Sequence, residues 1–228
     1  MTSPTRKAVL IDVDGTLLDS NDAHANAWVE VLTRAGYDAP YDRIRSLIGK
    51  GGDKLLEEAV GVDEDSDEGE RLSEERVAVV RDRFLKSLRP TTGARALLER
   101  LRDDGVQLIV ATSATGEELR GLLKQADVAD LIDASSTSQD ADASKPDPDI
   151  VVAALRKAGV DAKDAVMLGD TPYDIESARK AGVDTIVFRC GGFWDDAALG
   201  DAVAIYDDPG SLLNALEGSP LYRRAEAG

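Results

Sequence analysis

Two aspartates one residue apart, Asp12 and Asp14, follow directly on an apolar run in KAVLIDVDGTLLDS, residues 7–20. Ala8, Val9, Leu10 and Ile11 read as a buried strand, because a fully buried parallel strand is a continuous apolar run. Ligands collect at the carboxyl ends of such strands. Side chains alternate between faces along a strand, so the two carboxylates share one face and repel unless a cation lies between them. A hard divalent cation is the simplest occupant. Mg²⁺ takes one or two carboxylates, waters and the phosphate oxygens of a substrate, which points towards phosphoryl chemistry. As a lone pair of acids, the same residues read equally well as a strand end and an acidic turn.

The chain holds one histidine, His24, and one cysteine, Cys190. A histidine-cluster zinc site and a Ser-His-Asp triad are therefore excluded in practice, and no internal disulfide can form. Chemistry must rest on carboxylates, hydroxyls and lysines. Polar residues stand immediately after apolar runs at Asp12, Thr112 and Asp170, and Lys145 opens a helix between the last two. If these strands are parallel, all four residues meet in one crevice. Taken singly each has a plainer reading: Asp170 as a helix N-cap, Asp174 as a first-turn acid favouring the helix dipole, Lys145 as a surface lysine, Thr112 as a capping hydroxyl.

The elements that must position these residues are legible in outline. After the first strand, residues 23–35 have helical spacing, with Ala27, Val31 and Ala35 on one stripe. Residues 41–49 and 52–60 read as two further helices around the glycine-rich loop Gly49, Lys50, Gly51, Gly52. An acidic run over 63–70, read as a solvated helix face or turn, leads into a longer helix over 72–88. No strand is expected between 19 and 88. From residue 89 onward helix and strand alternate, which implies a parallel sheet. Helices are expected over 94–103, 116–126, from 147 with Asp147 as N-cap and Pro148 first, over 172–181 and over 211–216. Strands are expected over 106–111, 131–134, 165–168, 185–188 and 203–206. The tail from Ser219 is expected to fray.

The 228 residues can bury a good core. Neither a membrane span nor a signal peptide is expected, so the sequence reads as cytoplasmic. A formal net charge of −17 argues against broad binding to nucleic acid or anionic membrane, which leaves small molecules as partners.

In order and type, these residues resemble the motifs of the haloacid dehalogenase (HAD) superfamily, phosphatase branch. DVDGT matches the first motif, Thr112 after VQLIVA the second, Lys145 in SKPDPD the third, and GDTPYD from Gly169 to Asp174 the fourth. The resemblance covers nearly the whole chain and includes the place of the helical insertion. It implies an α/β fold with a Rossmann-like core, residues 1–18 and 89–228, and an inserted α-helical cap domain, residues 19–88. It further implies a Mg²⁺-dependent phosphatase acting on a small phosphorylated metabolite. Asp12 would be the nucleophile that forms an aspartyl-phosphate. Asp14 would be general acid and base, with its backbone carbonyl on the metal. Thr112 would donate to a phosphoryl oxygen and Lys145 would offset negative charge. Asp170 would bind Mg²⁺ together with Asp12, and Asp174 would be a ligand or a partner behind it. Thr16 and Ser113 are further candidates for the phosphate, since either hydroxyl of the Thr112–Ser113 pair can face it.

His24, Ala27 and Trp28 form an HxxAW pattern similar to that of β-phosphoglucomutase and its closer relatives, where it helps close the cap. The plainer reading is Trp28 as cap core and His24 as an interface residue. Lys50, or Lys54, is placed to meet a second anionic group of a substrate. The arginine that hexose-phosphate mutases use in the glycine-rich loop has no clear match, so a mutase is the weaker alternative. A phosphonatase would need a Schiff-base lysine from the cap. A haloacid dehalogenase does not need Asp14, a non-catalytic binding module would lose a motif residue, and no GxGxxG supports a dehydrogenase. Phosphoglycolate, sugar phosphates and nucleotides all remain compatible substrates.

Overall fold

The computed structural model describes residues 4–222. Its centre is a six-stranded parallel sheet: β1 (Ala8–Ile11), β2 (Gln107–Ala111), β3 (Ala134–Ser136), β4 (Ala165–Gly169), β5 (Asp184–Phe188) and β6 (Ala204–Tyr206), in the order β3-β2-β1-β4-β5-β6. The chain winds outward from β1 through β2 to β3, then crosses back to β4 on the other flank of β1. The topological switch therefore lies at β1. Ile11 is in register with Val110 of β2 and Leu168 of β4, so the residues that follow these strands emerge side by side.

Alternation along the strands builds two cores. Val9, Ile11, Leu108, Val110, Val166 and Leu168 face one side. There they meet α5 (Ala94–Asp103) and α6 (Gly116–Gln125) through Leu97, Leu101, Leu119 and Leu122. Ala8, Leu10, Ile109 and Met167 face the other side. They are covered by α7 (Asp149–Ala158) and α8 (Pro172–Lys180) through Ile150, Ala154 and Ala178. The last helix, α9 (Pro209–Asn214), packs Leu212 onto the first of these cores.

Between β1 and α5 run α1 (Asn21–Arg34), α2 (Tyr41–Leu47), α3 (Gly52–Val60) and α4 (Asp67–Val79). They enclose an apolar cluster of their own, built around Trp28, Leu32, Ile44, Leu55, Leu56 and Leu72. This cluster is separate from the two that flank the sheet.

Several boundaries differ from those read in sequence, each for a local reason. Helix α4 begins at Asp67 instead of 72: Ser66 caps it by accepting from Gly69 N at 3.1 Å, and Asp67, Glu68 and Glu70 sit favourably in its first turn. It leaves α-geometry at Val80, passing through a π-turn (Val80–Phe84) and a 3₁₀ turn (Leu85–Ser87). Helix α1 begins at Asn21, and the hydroxyl of Ser20 donates to Asp14 instead of capping it. Strand β3 lies further on than 131–134, because Leu131 and Ile132 pack from a turn while Ser135 and Ser136 make the pairing. Pro148, not Asp147, is the N-cap of α7, since Asp147 pairs with Lys54 and Lys180. Ser219–Tyr222 do not fray. Leu221 is fully buried and accepts from Thr5 N at 2.9 Å, and the Tyr222 hydroxyl donates to Asp104. The rest of the tail lies outside the described residues. Among the described residues no helix is long and apolar enough to cross a membrane.

Candidate active site

The carboxyl ends of β1, β2 and β4 bring Asp12, Thr112 and Asp170 together, as parallel register requires. The lysine is central. Lys145 is 1% exposed, and its Nζ donates to Asp12 Oδ1 at 2.6 Å and to Asp174 Oδ1 at 2.7 Å. Burial alone would discharge it; the adjacent Asp12 and Asp174 carboxylates outweigh that and hold its pKa above the ordinary lysine range. Asp174, in the first turn of α8, has its Oδ2 filled by the backbone N–H groups of Asp170 and Thr171 and by the Thr171 hydroxyl in a capping box. It anchors both the lysine and the β4–α8 turn.

Burial pushes the Asp12 carboxyl up to about 7; Lys145 pulls it down, while Asp174 and Asp14 add to the rise. Asp170 is raised well above the ordinary carboxylate range, again first by burial and then by Asp174 and Asp12, with Asn21 opposing through a 2.8 Å hydrogen bond. Carboxylate oxygens of Asp12, Asp170 and Asp174 lie within 4.8 Å of one another. Such a crowded, buried, all-oxygen set fits a hard divalent cation. With Asp174 Oδ2 already filled, Asp12 and Asp170 are the better placed ligands.

Asp14 stands apart from that trio. Its carboxylate accepts from Ser20 and pairs with His24 Nε2 at 2.9 Å. Burial works to raise its pKa, but His24, Ser20 and Arg76 together bring it below the ordinary value. For His24 burial works downward and is outweighed by Asp14 and Glu118, so the imidazole is raised. Together they hold one proton between Asp14 Oδ1 and His24 Nε2.

A cavity of about 60 Å³ opens beside these groups, lined by Asp12, Asp14, His24, Thr112, Ser113 and, from the inserted helices, Trp28, Lys50 and Arg76. Thr112 is buried, and its hydroxyl accepts from Ala114 N at 3.2 Å, leaving its proton free to donate. Ser113 Oγ is buried without a hydrogen-bond partner among the described residues. Of the expected substrate contacts, Thr16 is the exception: it is fully buried, donates to Asp170 Oδ1 at 3.3 Å, and is not on the cavity wall. Lys50 reaches the wall, but its Nζ pairs with Glu58 at 2.5 Å and lies 4.7 Å from the centre of the Tyr173 ring. Lys54 pairs with Asp147 at 3.2 Å.

Sequence reading missed Ser20, Asn21, Arg76 and Glu118. Arg76 of α4 forms a buried ion pair with Glu118 of α6, packs 5.3 Å over Trp28, and brings its Nη1 within 3.4 Å of His24 Nδ1. Only the fold brings these two helices together, so no local pattern could have found the pair. Gly15 was legible as part of DVDGT, but its necessity is tertiary. It has φ +76°, and a Cβ there would stand 2.2 Å from Asp170 Oδ2. The Cys190 thiol donates to Gly15 O at 3.3 Å, and burial pushes its pKa up to about 12.

The model of the haloacid dehalogenase-like hydrolase family matches residues 9–188. The chain belongs to that family. Among its curated relatives is a phosphoglycolate phosphatase of Rhodospirillum rubrum, 32% identical over 219 residues and covering 90% of this chain and 89% of the relative. An N-acetylmuramic acid 6-phosphate phosphatase of Pseudomonas aeruginosa is 29% identical, covering 92% of this chain and 95% of that one. Among solved structures, a hydrolase from Pseudomonas syringae superposes with a TM-score of 0.86 at 30% identity, covering 93% of this chain and 99% of that one. The β1 end of this HAD hydrolase, with Asp12 held by Lys145, lies within the matched region, as do β2, β4 and α8.

Proposed function

We propose that this HAD-family enzyme, a phosphoric monoester hydrolase, cleaves a small phosphomonoester with Mg²⁺ through an aspartyl-phosphate on Asp12. The observation that carries the reading is Lys145, buried and shared between Asp12 and Asp174 beside Thr112 and Asp170. The relatives named as phosphatases support it. Asp12 attacks phosphorus and the ester oxygen departs with a proton from the Asp14–His24 pair, leaving phosphate bonded to the Asp12 carboxylate. Asp14 then takes a proton from water, which attacks the same phosphorus, releases inorganic phosphate and restores Asp12. Lys145 keeps Asp12 ionised for attack, and the Thr112 hydroxyl donates to a phosphoryl oxygen. Asp12 and Asp170, with the Asp14 carbonyl, would hold Mg²⁺, which would supply positive charge to the phosphoryl oxygens.

We further propose that residues 19–88 act as a cap over residues 1–18 and 89–222. Contacts that cross this boundary, Tyr173 Oη to Ser46 O at 2.6 Å and Gly51 N to Ser144 Oγ at 3.0 Å, support a closed arrangement that excludes bulk water. Lys50, paired with Glu58, gives no support to a Schiff-base mechanism. The test is phosphate release from a panel of phosphomonoesters with Mg²⁺ and with chelator, for the wild type and Asp12→Asn. Release is expected with Mg²⁺ alone, and the variant should lose at least roughly 10³-fold with an unchanged circular dichroism spectrum. Near-normal turnover by the variant would remove Asp12 as nucleophile.

A further inference from the structure

Every cation that lines the cavity beside Asp12 already faces a carboxylate. His24 is on Asp14 at 2.9 Å, Lys50 is on Glu58 at 2.5 Å, and Arg76 is on Glu118. An anionic group on the leaving alcohol therefore meets there no cation without a carboxylate partner, and Asp14 and Glu118 stand on the same wall.

Glu118 offers something different. Its side chain is 5% exposed, one oxygen binds Arg76, and Oε2 is buried with no hydrogen-bond partner among the described residues. Arg76 Nε is buried and unpartnered in the same way. A buried acceptor left unsatisfied is costly, and a carboxylate oxygen can only be satisfied by a donor. A hydroxyl group can do both, donating to an acceptor such as the Glu118 carboxylate or accepting from a donor such as the Arg76 guanidinium, two residues of the cavity wall. A carboxylate on the substrate has no proton to give. The Ser113 hydroxyl, able to donate or accept, does not discriminate.

We propose that Glu118 is a specificity-determining residue that selects phosphomonoesters whose leaving alcohol bears a further hydroxyl, and rejects those bearing a carboxylate. This rests on the phosphatase reading above.

Three esters of matched length separate the possibilities: 2-hydroxyethyl phosphate, ethyl phosphate and phosphoglycolate, assayed for phosphate release with Mg²⁺, alongside p-nitrophenyl phosphate. The wild type should favour 2-hydroxyethyl phosphate over ethyl phosphate by about tenfold or more in kcat/KM, with phosphoglycolate last. Glu118→Gln removes the negative charge and frees Arg76. The ratio of kcat/KM for 2-hydroxyethyl phosphate over phosphoglycolate should then fall roughly 10–100-fold. General damage to the fold would lower all rates together and leave that ratio unmoved. Phosphoglycolate turned over as well as 2-hydroxyethyl phosphate by the wild type, or an unchanged ratio in Glu118→Gln, overturns the proposal. Absence of release from all four esters would instead overturn the phosphatase reading itself, a result that cannot be confused with a reversed preference.

Discussion

Lys145→Met replaces the buried ammonium by a side chain of similar length and no charge. Asp12 then loses a 2.6 Å contact and Asp174 a 2.7 Å contact with the one cation they share. An opposite charge at such range lowers a carboxyl pKa by about 1–3 units. Asp12 already stands at about 7 with the lysine in place, because burial raises it. Without the lysine it must go higher, and the ionised, nucleophilic fraction at neutral pH falls by about tenfold for each unit. Lys145→Met should therefore cost about 10–1,000-fold in kcat/KM at pH 7, with part of the loss recovered at higher pH as Asp12 ionises. The assay is kcat/KM for a turned-over phosphomonoester from pH 5 to 9 at one Mg²⁺ concentration below saturation, the same for wild type and variant. The acidic limb should move to higher pH by roughly 1–3 units. A loss of the same factor at every pH would show that Lys145 does not keep Asp12 ionised and acts on the transition state alone. An unchanged rate would remove it from the site.

Gly15→Ala forces a Cβ into a backbone at φ +76°, within 2.2 Å of both Asp170 Oδ2 and Asn21 Nδ2. The strain should cost about 1–3 kcal/mol, seen as a fall in Tm of roughly 5–10 °C together with loss of activity; an unaltered Tm would mean that the turn relaxes freely. For His24, whose folded pKa lies above its ordinary 6.5 because Asp14 and Glu118 outweigh burial, the stabilisation is complete below about 6.5 and fades as pH rises through the folded value. His24→Asn should thus lower Tm more at pH 6 than at pH 9. A Tm gap that grows with pH would contradict a protonated His24 in the folded chain.

The site was largely legible where chemistry follows a strand end. Asp12, Thr112 and Asp170 each come directly after an apolar run, and parallel register brings such positions together without further instruction. Lys145 was legible by its place in SKPDPD, yet its burial at 1% exposure and its sharing between Asp12 and Asp174 were not. A lysine before a proline has no periodicity from which burial can be read. Thr16 shows the reverse. Its place in DVDGT suggested a hydroxyl for the substrate, but the sharp turn at Gly15 directs it to Asp170.

What the amino-acid sequence determined by itself is the alternation of strands and helices, the insertion after β1, and the carboxylates at strand ends, because these depend on short-range periodicity and on residue type. What only the tertiary structure decided is who pairs with whom across the insertion. Arg76 and Glu118 are 42 residues apart, on α4 and α6. Neither helix carries a mark of the other, and their ion pair exists because two separately built apolar cores set those helices face to face over the cavity. The charges that line the cavity are fixed by that packing: each lining cation faces a carboxylate, and Glu118 Oε2 has no hydrogen-bond partner among the described residues.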